Sequence, residues 1–116
     1  MKAKNYIKLI SKLKSHALNA RRNVVRSSAI AGSVHIASSL SPIDILTTLY
    51  FDTLRINPRY PDNPMRDRFI FSKGHGGLGL YCVLTERGFL SEKLLNKYGQ
   101  DGSILTVHPV RGSVPG

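Results

Sequence analysis

Tyr6, Ile10, Leu13, Ala17, Ala20, Val24 and Ala31 recur at steps of three, four or seven residues and line one narrow stripe when the chain is wound as a helix. Lys4, Lys8, Arg22 and Arg26 gather on roughly the opposite side. The pattern predicts one long amphipathic helix over about residues 3–31, and the segment 1–31 reads as a basic helical unit. A rod of that length in a chain of 116 residues fixes the plan, because the other elements must pack along it. The alanines in the stripe predict close approach to another helix rather than insertion into lipid, which favours bulkier groups.

The chain carries 17 basic and 7 acidic residues, and its charge is segregated. All seven acids (Asp44, Asp52, Asp62, Asp67, Glu86, Glu92, Asp101) follow residue 43, and the first 43 residues hold eight basic side chains. Such asymmetry suits a solvated helix face, an organelle-targeting segment, or a surface for nucleic acid or anionic lipid. The helical wheel favours the first. Single-strand binding is weakened further because no aromatic residue is interleaved with the basic cluster after Tyr6. No apolar run reaches membrane-spanning length, which excludes a transmembrane protein. The one cysteine, Cys82 between Tyr81 and Val83, excludes an internal disulfide framework and reads as a small buried hydrophobe. A reducing, cytoplasmic location fits.

Residues 32–40 read as a small-residue loop around His35. Ser41-Pro42-Ile43-Asp44 reads as a helix start, with Ser41 as cap and Pro42 at the first helical position. The helix runs to about Arg55, and Asn57-Pro58 stops it. Residues 58–64, with three prolines, form a surface loop. Arg66 to Ser72 predicts a short buried strand, about 68–72, centred on Phe69, Ile70 and Phe71. A glycine-rich turn, Lys73 to Gly79, leads into an apolar helix ending at Gly88, and Ser91 caps another over about 92–98. The tail from Asp101 to Gly116 is loop. One strand makes no sheet, so its partners are expected elsewhere and the chain reads as part of an α/β domain.

Gly74, Gly76 and Gly79 spell G-x-G-x-x-G between the strand and a helix, the dinucleotide-binding pattern. That pattern needs a second strand ending in an acid about twenty residues on. Glu92 has the spacing but sits in a helical segment, so a Rossmann unit is rejected. Two readings stay open: tight strand-to-helix packing, or a diphosphate contact built from Lys73, His75 and backbone N–H groups at a helix start. Of the four histidines, His16 reads as structural. His35, His75 and His108 sit in loops bearing glycine or proline, and their spacing matches no zinc signature, so no metal site is assigned to them.

Four segments together resemble the N-terminal part of transketolases, especially their split, two-subunit form. They are Gly32 to Ser41, Asp44 to Phe51, Arg66 to His75, and Val107-His108-Pro109 leading to Val114-Pro115-Gly116. They stand in the family's order and spacing and cover the chain from about residue 18 onward. The Arg-Asp-Arg-Phe…Ser-Lys-Gly-His string is the most specific. The resemblance implies a partial thiamine diphosphate-binding domain over residues 1–116. It implies an enzyme that moves a two-carbon ketol unit between sugar phosphates, in the pentose phosphate pathway, with thiamine diphosphate and Mg²⁺. On it, His35 contacts substrate near the reacting carbons. His75, with Lys73 and Gly74, lies against the cofactor diphosphate, and His75 also meets substrate. His108 hydrogen-bonds the donor's terminal hydroxyl and helps proton transfer; His35 and His108 are the catalytic pair. Arg66, Asp67 and Arg68 are structural, pairing charges.

Val34 and Val107 replace residues that are usually glycine in the family, which puts bulk at the approach to the thiazolium. The family's Gly-Asp-Gly…Asn motif, which binds Mg²⁺, is absent from the sequence, so the chain is expected to be a truncated subunit, inactive alone. Its partner is expected to be a C-terminal transketolase half or subunit carrying the pyrimidine-binding domain, in a dimeric or higher assembly. A related thiamine enzyme such as deoxyxylulose-phosphate synthase is an alternative within the class. A non-catalytic basic binding module is an alternative outside it.

Overall fold

The computed structural model describes residues 2–32 and 35–116. The predicted rod is α1, Lys2–Ala31. Four shorter helices follow: α2 (Ile36–Leu40), α3 (Ile43–Thr48), α4 (Gly77–Arg87) and α5 (Glu92–Leu95). A wider π turn, Leu49–Thr53, extends α3, and a 3₁₀ turn, Gly74–Gly76, precedes α4.

The C-terminal half of α1 lies along the others. Ala17, Ala20 and Val24 of its stripe are buried, and α1 packs on α2, α3 and α4. Small side chains let the helices approach closely, as the alanines predict. The centre of the core is α4, whose residues from Gly77 to Leu84 are all buried. Burying side chains such as Leu78, Tyr81 and Leu84 contributes roughly 1.5–3 kcal/mol each, the largest favourable term in the fold. Cys82 is buried in the same helix, and burial pushes its thiol pKa up, so it stays a protonated core residue.

Polar pairs fix the angle of the rod. His16 Nδ1 lies 2.9 Å from Glu86 Oε1, and the Asn19 amide donates to the same oxygen at 3.0 Å. The His16 ring stacks on Phe51 at 3.9 Å, which gives this histidine the structural role read from the sequence. Nearer the body, Arg21 donates to Asp44 Oδ2 at 2.6 Å and ties α1 to α3.

Two expectations about elements are corrected. Residues 36–40 are helix rather than loop: the Ser39 N–H donates to His35 O at 3.0 Å and that of Ser41 to Ala37 O at 3.1 Å, and the bare backbone of Gly79 lets this turn pack close. The predicted strand at 68–72 is not one: among the described residues there is no strand. Nor is it buried throughout as expected, since its side chains alternate between inside and outside. Phe69 and Phe71 are half-buried, with Phe69 edge-on to Tyr50, whereas Ile70 is 87% exposed. A strand exists only by pairing, and this segment has the side-chain pattern without a neighbouring ladder. Ser91 caps α5 as predicted, its hydroxyl accepting from the Leu94 N–H at 3.1 Å. Ser41 does not cap α3. Pro42 holds that place with no side-chain bond, while the Ser41 hydroxyl accepts from the Lys73 ammonium. A charge-assisted donor outcompetes a backbone N–H for a single hydroxyl.

Candidate active site

The glycine-rich turn is the keystone of the site. The N–H of Gly74 donates to Ser72 O at 3.0 Å and that of Gly76 to Lys73 O at 2.9 Å, curling the chain tightly before α4. A Cβ on Gly76 would stand 2.9 Å from the Phe71 ring, and one on Gly77 would stand 2.7 Å from the Val107 carbonyl oxygen. One on Gly79 would overlap the Ser39 carbonyl. Three separate segments therefore rest on backbone that has no side chains to hold them away: α2, the 69–73 run, and the 107–109 loop. Close packing, one of the two open readings of the G-x-G-x-x-G pattern, is thus present, and it leaves the exposed His75 side of the turn free for the other.

That convergence brings together the three loop histidines. His35 and His75 stack with ring centroids 4.2 Å apart and planes 26° from parallel. His75 and His108 lie 5.0 Å apart at 47°. His35 is the N-cap of α2, His75 sits inside the 3₁₀ turn, and His108 leads into the tail. All three are exposed, so the rings form an open face rather than a core cluster. Gly74 serves this face from behind, since a Cβ there would lie 3.1 Å from His108 Cδ2. The Thr106 hydroxyl donates to the His108 carbonyl at 2.7 Å and steadies that loop. Tyr50 donates to the Gly116 carbonyl at 2.9 Å and pins the tail's end; burial pushes its phenol up to about 12, so it remains a donor.

His35 holds φ 53° and ψ 42°, and among the described residues it is the one non-glycine with positive φ. A β-carbon in the left-handed region costs roughly 1–2 kcal/mol, and backbone strain of this kind concentrates at functional positions. Here the strained residue also carries the stacked ring. Val34, which stands where the family usually has glycine, lies outside the described residues. Val107 turns its carbonyl toward Gly77.

Lys73, expected at a diphosphate, reaches back to Ser41 and joins the turn to the α2–α3 junction. Arg66, Asp67 and Arg68 are structural as expected, with a different partner: Asp67 accepts from the backbone N–H of Arg55 at 2.7 Å and its guanidinium at 3.1 Å. Arg66 and Arg68 instead donate to backbone carbonyls. Sequence reasoning passed over Gly77, although the Gly76-Gly77 doublet was a signal of close approach. Nothing local to His35 announces its backbone conformation.

Two recesses lie along residues 55–66, and none of the three histidines lines them. The histidine face is open, with the form of one wall of a site. Among the described residues no group of three His, Cys, Asp or Glu could hold a metal ion.

The family model for the transketolase thiamine diphosphate-binding domain matches residues 13–116. The chain is 41% identical over 103 residues to an apulose-4-phosphate transketolase subunit of Actinobacillus succinogenes, covering 89% of this chain and 37% of that protein. It is 40% identical over 98 residues to human transketolase, covering 84% of this chain and 16% of the relative. Against the 6-deoxy-6-sulfo-D-fructose transketolase subunit SqwG of a Clostridium species it is 36% identical over 96 residues, covering 78% and 35%. The chain thus spans little more than a third of these relatives at most. The match includes all three histidine segments and the glycine turn that assembles them, and the chain belongs to the transketolase family, as part of its N-terminal thiamine diphosphate-binding domain.

Proposed function

We propose that this chain supplies one wall of a transketolase active site, in which a two-carbon ketol unit moves between sugar phosphates. The observation that carries the reading is the convergence of His35, His75 and His108 on one exposed face. The donor set suits the task. Three imidazoles can each donate or accept a hydrogen bond, and histidine changes protonation near neutral pH, as hydroxyl-rich substrates and a diphosphate require. Thiamine diphosphate, when bound, supplies the electron sink that lets a bond beside a carbonyl break and reform. His75, at the middle of the stack and in the turn before α4, holds the diphosphate side. His35 and His108 flank it, orient sugar hydroxyls, and hold or pass the proton of a terminal hydroxyl.

The opposite wall comes from a polypeptide bearing a pyrimidine-binding domain. Two of the relatives are named as subunits, which supports a divided enzyme. The roles separate in the assembled enzyme. His108→Ala lowers turnover about a hundredfold or more with little change in cofactor affinity, the scale of a lost acid–base group. His75→Ala lowers both. Turnover assays with fluorescence titration of thiamine diphosphate measure this, and equal losses of cofactor affinity alone in both variants would reject the assignment.

A further inference from the structure

The stripe that buries Ala17, Ala20 and Val24 continues toward the N-terminus as Tyr6, Ile10 and Leu13, and Ala17 is its first buried side chain. Tyr6 is 66% exposed, Ile7 69% and Ile10 39%. A helix of 30 residues is about 45 Å long, so its N-terminal half stands out from the body along the molecule's 50 Å axis. Helical periodicity puts Leu9 on one edge of the apolar strip and Ile7 on the other. Lys12 borders the Leu9 edge, Lys4 and Lys14 border the Ile7 edge, and Lys8 is at the back. All four lysines are exposed, and no acid occurs before Asp44.

From this placement we infer that residues 3–14 of α1 are a docking surface for an apolar helix flanked by acidic side chains, contributed by a protein partner. The inference does not depend on the reading of the histidine face. Three observations select the occupant. The strip is contiguous with the one that faces the body, so its open side is the corner between the projecting helix and the α3–α4 layer. A flat membrane laid on the strip would collide with that body; a single helix fits the corner. A second copy of α1 would set the bordering Lys4, Lys12 and Lys14 against their equivalents with no acid to offset them. A helix with a leucine seam and glutamates on both edges covers the apolar strip and meets the lysine borders at once.

The probe is a designed amphipathic peptide with a leucine seam and flanking glutamates, alongside a counterpart with flanking lysines. Calorimetric titration into the full chain is expected to show binding of the glutamate peptide alone, weakening as salt rises. Tyr6→Ser with Ile10→Ser weakens it about tenfold or more, as loss of central apolar anchors does. Val25→Ser, exposed elsewhere on α1, leaves it unchanged. Lys12→Glu with Lys14→Glu shifts preference to the lysine peptide. Circular dichroism checks that each variant keeps its helix content, which exposed positions allow. Three results would each overturn the inference: equal affinity of the Tyr6/Ile10 variant, strip-dependent dimerisation of the chain, or strip-dependent binding to phosphatidylserine vesicles with none to the glutamate peptide.

Discussion

His35 shows how a single residue carries both cost and use. Its left-handed backbone starts α2 and stacks its ring on His75, an arrangement an unconstrained histidine does not favour. Replacing it separates the two contributions. His35→Gly removes the β-carbon penalty, whereas His35→Ala keeps the penalty and loses the ring. The glycine variant is therefore expected to be more stable than the alanine variant by about 1 kcal/mol, measured by urea denaturation, although both lose the imidazole. Equal stabilities would mean that the strain is not carried at this residue. Gly74→Ala belongs to the same scale. Its new methyl meets the His108 ring, which turns aside, so folding is nearly unchanged while turnover of the assembled enzyme falls. Neither effect is visible in a sequence motif, because each depends on which ring lies behind which backbone atom.

At the scale of elements, the glycine turn and α2 form one packed unit. Gly79→Ala forces its methyl into the Ser39 carbonyl, a backbone atom that cannot swing away. The expected loss is roughly 1–3 kcal/mol, the range for overpacking, measured as a fall in Tm and accompanied by separation of His35 from His75. The Arg21–Asp44 pair joins α1 to α3 and gives a pH signature. The Arg21 guanidinium, donating to Asp44, holds that carboxyl below its ordinary value. A carboxyl whose pKa is lower in the folded state stabilises the fold above the unfolded value and ceases to do so as pH falls through the folded one. The pair is exposed, so Asp44→Asn costs less than about 1 kcal/mol at neutral pH, and the difference from wild type vanishes in strong acid. Urea denaturation at neutral and acid pH checks both signs.

Much of this level was legible. The stripe of α1, the cap at Ser91 and the end of α4 at Gly88 follow from spacing and turn chemistry. The segment 68–72 was legible only in part: the apolar run Phe69, Ile70 and Phe71 suggested a buried strand, but pairing and the outward turn of Ile70 are tertiary facts that no local pattern contains. The Ser41 cap failed for the same reason, since its hydroxyl found a partner 32 positions away in the chain, Lys73, rather than the one its neighbours suggested.

Across the whole molecule, the long helix, the buried α4 and the pinned tail hold three distant segments so that their histidines share a face. The three loop histidines were picked out from their loop positions, but their convergence was implied only by a family resemblance. Spacing along the chain could not show it, because the contacts run through glycines whose role is to be absent. The same frame leaves the histidine face open, apart from the two recesses along residues 55–66. The central claim is that this face receives thiamine diphosphate. It is tested most directly by NMR of ¹³C-labelled histidines in the chain assembled with the pyrimidine-binding half, during titration with thiamine diphosphate and Mg²⁺. The account predicts that His35, His75 and His108 shift together while His16, held between Glu86 and Phe51, stays in place. Saturable cofactor binding that leaves all three loop histidines unmoved would contradict it.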